Sequence, residues 1–291
     1  MPALARHRLF STPLLMLLGF FMITTTPARG AESDLTASSL KFFQDLAQTR
    51  SYSLGLPMNA QPTPDGTAVL YLRSQSRDPV MRLYQWTIKT GKEEEMLTPE
   101  ALLKGTDEQL SVEERALRER KRISTRGFTS FQLSQDGAHV LVSLSGRLYL
   151  VRRSDKKVTE LPSSDEAWFD ARFSPDGRYI ASVRANELYV IDLERSIEQR
   201  LTLGANENLT HGVAEFAALE EMDRFQGYWW SPDSSKLVYQ ESDLSQVEKL
   251  YIANPGHPEQ APQSFHYPRA GTPNARVKLG ILDRNGGDTT W

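Results

Sequence analysis

Ser174-Pro175-Asp176-Gly177-Arg178-Tyr179-Ile180-Ala181-Ser182-Val183 sets a turn directly against a strand, and its reading decides the fold. Pro fixes φ at the start of the turn, Asp bonds to its own backbone, and Gly takes a positive φ. The apolar run behind it has the pattern of a strand. Three further copies follow the same plan: Thr63-Pro64-Asp65-Gly66, Ser134-Gln135-Asp136-Gly137 and Ser231-Pro232-Asp233-Ser234. They lead into strand-like runs at 68–72, 139–143 and 236–240. A second run comes soon after in most copies, most clearly at 82–86, 147–151 and 187–193.

Turn, strand, short gap, strand is the rhythm of a four-stranded propeller blade. Ser134 to Ser174 is an interval of 40 residues, and a blade takes about 40–45. The neighbouring intervals, 71 and 57, are each long by one insertion. The first insertion, about 99–126, reads as helical; the second lies near 203–228. The sequence therefore predicts an all-β fold, a β-propeller of four-stranded blades with about four blades present and one inserted helix near 111–122. The last blade is expected to end at 277–282, followed by a turn at Asn285-Gly286-Gly287. An arc of four blades leaves an apolar face without a neighbour, so these blades are expected to form part of a larger ring.

Composition narrows the function classes. The 291 residues are 39% hydrophobic and 24% charged, with 18 Gly and 16 Pro, which excludes disordered, collagen-like and multi-span membrane chains. The net charge of −3 provides no basic field for nucleic acid. With no cysteine, a Cys nucleophile, a disulfide scaffold and a thiolate zinc site are all ruled out. His7, His139, His211, His257 and His266 show no metal-ligand spacing, and neither a metal nor a cofactor is expected.

The first thirty residues read as an address. Arg6, His7 and Arg8 precede an apolar run from 9 to 23, and Ala28-Arg29-Gly30 presents small residues to a signal peptidase, with cleavage expected before Ala31. The alternative is an N-terminal membrane anchor, against which Ser11, Thr12 and Pro13 interrupt the run. Removing 1–30, with three arginines and no acid, leaves a chain of net charge −6. A secreted chain without cysteine suits a bacterial periplasm, with no membrane contact after cleavage.

Two helical segments carry the candidate chemistry. Glu220 and Glu221 lie in the helix-prone stretch 217–222; on spacing alone, adjacent acids point to different sides of a helix and suit a solvated face. In 111–122, Ser111 and Glu114 have capping-box spacing, and Arg118 and Arg122 share one face. Polar on nearly every side, that helix belongs at a surface or a bridge. Trp229, Trp230 and the tyrosines at 71, 84, 149, 189 and 251 read as blade packing. Asn208-Leu209-Thr210 matches a glycosylation acceptor only as a short motif.

Several of these stretches resemble the dipeptidyl peptidase IV family, a branch of the prolyl oligopeptidase serine peptidases, in its bacterial periplasmic form. They are Ala214-Glu215-Phe216, Glu220-Glu221-Met222, Gly227-Tyr228-Trp229-Trp230-Ser231-Pro232-Asp233, Tyr267-Pro268-Arg269-Ala270-Gly271-Thr272-Pro273-Asn274 and the helical run 110–122. The resemblance covers nearly all of 31–291 and implies an eight-bladed propeller over an α/β-hydrolase domain. It implies release of dipeptides from a free N-terminus, with Pro or Ala second, by a homodimer. By the same resemblance Glu220 and Glu221 bind the substrate ammonium, a cation with three donors that two carboxylates can accept from. An arginine holds a substrate carbonyl: Arg118 first, Arg122 second. No G-x-S-x-G elbow occurs in the 291 residues, so the hydrolase domain and its Ser, Asp and His are expected to be absent from this stretch. Three readings stay open: the N-terminal part of an exopeptidase, a non-enzymatic periplasmic propeller binding peptides or a protein partner, and a decayed product.

Overall fold

The computed structural model describes residues 37–291. The expected signal segment, 1–30, lies outside them. Helix α1 (Ala37–Gln48), which the sequence reading did not anticipate, comes first, and Gln44–Trp291 form one compact unit.

Three antiparallel four-stranded meanders follow one another. The first comprises β1 (Met58–Pro62), β2 (Ala68–Gln75), β3 (Asp78–Thr87) and β4 (Lys92–Leu97). Helices α2 (Pro99–Leu103) and α3 (Val112–Arg120) then loop out, and β5 (Arg126–Gly127) returns to pair with β3 beyond the end of β4. The second sheet is β6 (Gln132–Leu133), β7 (His139–Leu144), β8 (Arg147–Arg152) and β9 (Val158–Glu160). The third is β10 (Phe169–Phe173), β11 (Tyr179–Arg184), β12 (Glu187–Asp192) and β13 (Ile197–Arg200).

The fourth sheet is more elaborate than the sequence suggested. Its first strand is split into β14 (Leu209–His211) and β15 (Tyr228–Trp230), with helix α4 (Phe216–Glu221) between them. Both halves pair with the same edge of β16 (Lys236–Asp243). A hairpin, β17 (Lys249–Ile252) and β18 (Gln263–His266), interrupts the path before β19 (Arg276–Asp283) pairs with the other edge of β16. The segment 277–282, expected to close the blade, is thus its third strand. A bridge between Ile281 and Thr290 holds the fourth position. Tyr251, expected in blade packing, lies on the inserted hairpin and is 67% exposed. The tyrosines at 71, 84, 149 and 189 are buried as expected.

The core is divided into layers between neighbouring sheets. Leu70, Leu83 and Met96 of the first sheet meet Val140, Val142 and Val151 of the second. On the opposite face of the second, Leu141 and Leu148 meet Ile180 and Ile191 of the third. Val183 and Leu188 then meet Leu237, Tyr239 and Leu282 of the fourth. Strand alternation sends successive residues of β7 and β11 into different layers, so each central sheet is buried on both faces. On the far side of the fourth sheet Val277, Leu279 and Ile281 are exposed, and the sheets do not close into a ring.

The repeated turns are built alike. In each, the first hydroxyl donates to the Asp carboxylate: Ser134 to Asp136, Ser174 to Asp176 and Ser231 to Asp233, all at 2.6 Å, with Thr63 and Asp65 doing the same. That hydroxyl also accepts from the amide that opens the next strand, at 2.9–3.1 Å. The fourth residue takes positive φ, including Ser234 at φ 61, where the other copies have Gly. The Asp carboxylate accepts one further backbone amide in each copy. These bonds, led by the hydroxyl, hold Asp65 and Asp233 at a pKa of about 2. Their stabilising contribution is present above the ordinary carboxylate value and is lost as pH falls towards 2. Carboxyl carbon shifts followed by NMR should show Asp65 and Asp233 titrating near 2, and titration near 4 would refute this bonding.

Candidate functional site

Helix α4 is an excursion from the first strand of the fourth sheet, closed at its neck. Val213 and Gln226 form a bridge there, and Gln240 of β16 joins both sides, its O accepting from Gly212 N and its N donating to Gly227 O, both at 2.8 Å. The two glycines touch so closely that a Cβ on Gly227 would lie 2.4 Å from the Gly212 carbonyl carbon. Above the neck, Glu215 caps the helix by accepting from Ala218 N at 3.1 Å. Its other oxygen accepts from Gln240 Nε2 at 2.6 Å and from Arg224 at 3.4 Å. The base of α4 is therefore fixed by a partly buried carboxylate, while Glu220 and Glu221 at its far end are exposed.

The arginines fall differently from the expected register. Ser111 caps α3 by accepting from Glu114 N at 3.1 Å, but the Glu114 carboxylate turns to Arg118 at 2.7 Å instead of completing a capping box. Arg118 is buried, paired also with Glu108 at 2.6 Å, and donates to the Gly127 carbonyl at 3.2 Å. Glu108 in turn accepts from Gly127 N at 2.9 Å. Arg118 thus pins the α2–α3 excursion onto β5 and does not face Glu220. Burial, the largest influence, pushes the Glu114 carboxyl up against the pull of Arg118. The helix ends at Arg120, so Arg122, exposed and at φ 52, does not share a helical face with Arg118.

Arg120 is the arginine brought to the acidic pair, with Nε 2.5 Å from Glu220 Oε1. Lys121 stacks over the Phe225 ring at 4.2 Å, a second tie between the two excursions. Residues 100 apart in sequence meet here, one on the α2–α3 excursion and one on α4. Glu221 has no ion pair among the described residues. Beneath α3, Lys121 and Phe225 line a cavity of about 290 Å³ that also reaches Trp168 and Asp170. Trp230 packs against the core between the third and fourth sheets, as a blade residue should.

Sequence reasoning passed over His211. Its ring lies between two acids, Nδ1 at 2.7 Å from Glu187 Oε2 and Nε2 at 3.1 Å from Glu241 Oε2. Arg200 pairs with Glu187 at 2.8 Å and Lys278 with Glu241 at 2.9 Å. The cluster ties the third sheet to the fourth one residue before the neck of α4. Burial raises the Glu187 carboxyl, but bonds from His211, Thr202, Ala205 N and Arg200 outweigh it and leave the pKa at about 2. Burial lowers the His211 imidazole, and Glu187 and then Glu241 outweigh it, holding the group above its ordinary value. No spacing rule pairs a lone His with acids 24 and 30 residues away; only blade stacking brings them together.

The layered four-stranded sheets, with an acidic helix between two strand halves, define a propeller-type domain. Residues 134–291, more than half of the sequence, match the family model described as the dipeptidyl peptidase IV N-terminal region, and the chain belongs to that family. It is 32% identical to human dipeptidyl peptidase 8 over 199 residues, covering 60% of this chain and 22% of that protein. Dipeptidyl peptidase 4 of the cat is 31% identical over 115 residues, covering 38% and 15%. The crystal structure of Porphyromonas gingivalis dipeptidyl peptidase 4 superposes with a TM-score of 0.60 at 19% identity, covering 87% of this chain and 34% of that one, a likeness of fold. The chain thus spans about a fifth of the length of the human relative.

The His211 cluster sets a pH window. The Glu187 contribution is present above its ordinary value and lost as pH falls to about 2; the His211 contribution is complete below pH 6.5 and lost as pH rises through its raised value. Chemical unfolding should find the cluster's contribution greatest between pH 4.5 and 6.5. His211→Ala, which removes one of the four partners of buried Glu187 and leaves Arg200, Thr202 and Ala205 N in place, should cost about 1–3 kcal/mol there. Parallel stability–pH curves for the two proteins would contradict the assignment.

Proposed function

We propose that this chain is the propeller portion of a secreted, periplasmic serine exopeptidase that releases dipeptides from free N-termini, with proline or alanine second. In this reading α4 recognises the N-terminus. The observation that carries it is Glu220 and Glu221 at the exposed end of a helix whose base is clamped by Glu215 and Gln240. A peptide α-ammonium has three donors and needs acceptors converging from more than one direction, which two carboxylates supply. The interior of a longer peptide has no α-ammonium to offer, so the pair measures a substrate from its end.

The Arg120–Glu220 pair is compatible with this role. Both side chains are about one-third exposed, and such pairs contribute only about 0.2–1 kcal/mol, too little to exclude a competing ammonium. Nε of Arg120 is used on Glu220, and the two terminal nitrogens are available to donate to the first carbonyl of the peptide. That assigns to Arg120 the role first given to Arg118, whose guanidinium is committed to Glu108 and Glu114. Hydrolysis belongs to the Ser, His and Asp of an α/β-hydrolase domain outside these residues. The positive start, the apolar run 9–23 and the lack of cysteine support export to a periplasm, and the family resemblance supports a homodimer.

Calorimetric titration with a proline-containing tripeptide tests the recognition step. Binding should require the free amine, fall as pH rises through the amine pKa of about 8, and weaken at least tenfold in Glu221→Gln. Equal affinity for the acetylated and free peptides would refute the reading.

A further inference from the structure

Helix α4 hangs from a joint that contains a titratable ring. His211 is the last residue of β14, and Gly212 of the neck follows it directly. Its main chain and its ring both reach the third sheet: His211 N donates to Asn186 O at 2.8 Å, and Nδ1 meets Glu187 of β12 at 2.7 Å. Nε2 meets Glu241 of β16, its direct partner in the β14–β16 ladder, at 3.1 Å. The neighbour of Glu241 on β16 is Gln240, which holds both neck glycines through its main chain and the Glu215 cap of α4 through its side chain. The imidazole is therefore one residue from the neck on β14 and one residue from Gln240 on β16.

Only the cationic ring satisfies this arrangement. Ionised carboxylates accept and cannot donate; an imidazolium donates from both nitrogens, whereas a neutral ring keeps one N–H. After deprotonation one of the two acids faces a lone pair. Glu187, 1% exposed, cannot turn to water and so retains the remaining N–H. Glu241 is 15% exposed and has Lys278 Nζ at 2.9 Å, so it is the partner released. The other charged or titratable groups around the ring are Arg200 of β13, on Glu187 at 2.8 Å, and Tyr239 of β16, edge-on to the imidazole at 5.8 Å. Burial keeps the Tyr239 hydroxyl protonated. Histidine is the side chain here that changes charge near neutrality. Because β14 is three residues long, losing one of its ties across the ladder loosens the neck beyond it.

We infer that His211 is a positioning residue for α4: with its ring protonated it clamps the neck between the third and fourth sheets, and on losing that proton it releases Glu241 and loosens the base of the helix. The consequence for ligands rests on the reading of Glu220 and Glu221 as the ammonium site. The two acids are then held in place below the titration of His211 and less firmly above it.

The chain has no cysteine, so two can be introduced for spin labels. In the full chain carrying Met222→Cys on the α4 excursion and Glu194→Cys on the third sheet, both at exposed positions, the spread of label separations should be narrow while the His211 ring is protonated. It should broaden as the ring signal, followed by NMR, titrates. Adding Glu241→Gln supplies an amide that donates to the neutral ring, so the spread should stay narrow throughout. In parallel, alanyl-prolyl-alanine is titrated against the unlabelled protein and its Glu241→Gln variant. Loss of the peptide's own ammonium is common to both, so the ratio of the two affinities isolates His211. That ratio should move by about tenfold in favour of the variant as pH rises through the ring's titration. A spread that ignores the titration, or that broadens equally with Glu241→Gln, overturns the positioning role and leaves the ammonium site standing. A broadening spread with a constant affinity ratio confines His211 to the fold and overturns the role as well. Absence of peptide binding at every pH overturns the ammonium reading, while the label separations decide the clamp by themselves.

Discussion

The hydrogen bond from a Ser or Thr hydroxyl to an Asp two residues on is the constraint from which the architecture follows. It closes the turn, and the same oxygen accepts the amide that starts the next strand, so each strand begins at a fixed place. The turns also touch one another from sheet to sheet. A Cβ on Gly137 would meet Pro64 at 2.7 Å, Gly177 faces Ser134, and Asp176 N donates to Ser234 Oγ at 3.0 Å. Four local motifs therefore stack into one column, and the column sets the spacing at which side chains from adjacent sheets interlock.

Much of this was legible because the turn repeats. Asp and Gly at constant offsets located the strands, and the excess lengths between copies located both excursions. The leading hydroxyl is the hub of each turn, yet the reading stressed Pro, which Gln135 replaces without changing the geometry. The fourth sheet was less legible because its strands are not consecutive. Residues 209–211 and 228–230 share one edge of β16, and 249–266 intervene before β19. Periodicity finds strands, but the edge each one joins is decided by long-range pairing.

The acidic pair could be placed on its helix from sequence, and the arginine that pairs with Glu220 could not be named. Helical spacing treats Arg118 and Arg122 alike as surface residues, whereas Glu108 and Glu114 draw Arg118 inward and α3 stops before Arg122. Nothing in a linear reading joins Arg120 to a residue 100 positions away. His211 escaped for the same reason: it becomes notable only when Glu187 and Glu241 arrive from neighbouring strands.

The neck of α4 separates two kinds of evolutionary change. Below it, a side chain on Gly227 would force the strand halves apart, and Gly212, at φ 75, would have its Cβ 3.2 Å from Val183. Above it, the helix rests on its own cap and on Gln240, and its outer face contributes nothing to the layers beneath. Substitution at the exposed positions 220–223 can therefore meet new ligands while the two glycines stay fixed, so that ligand choice can change independently of the sheets that display it.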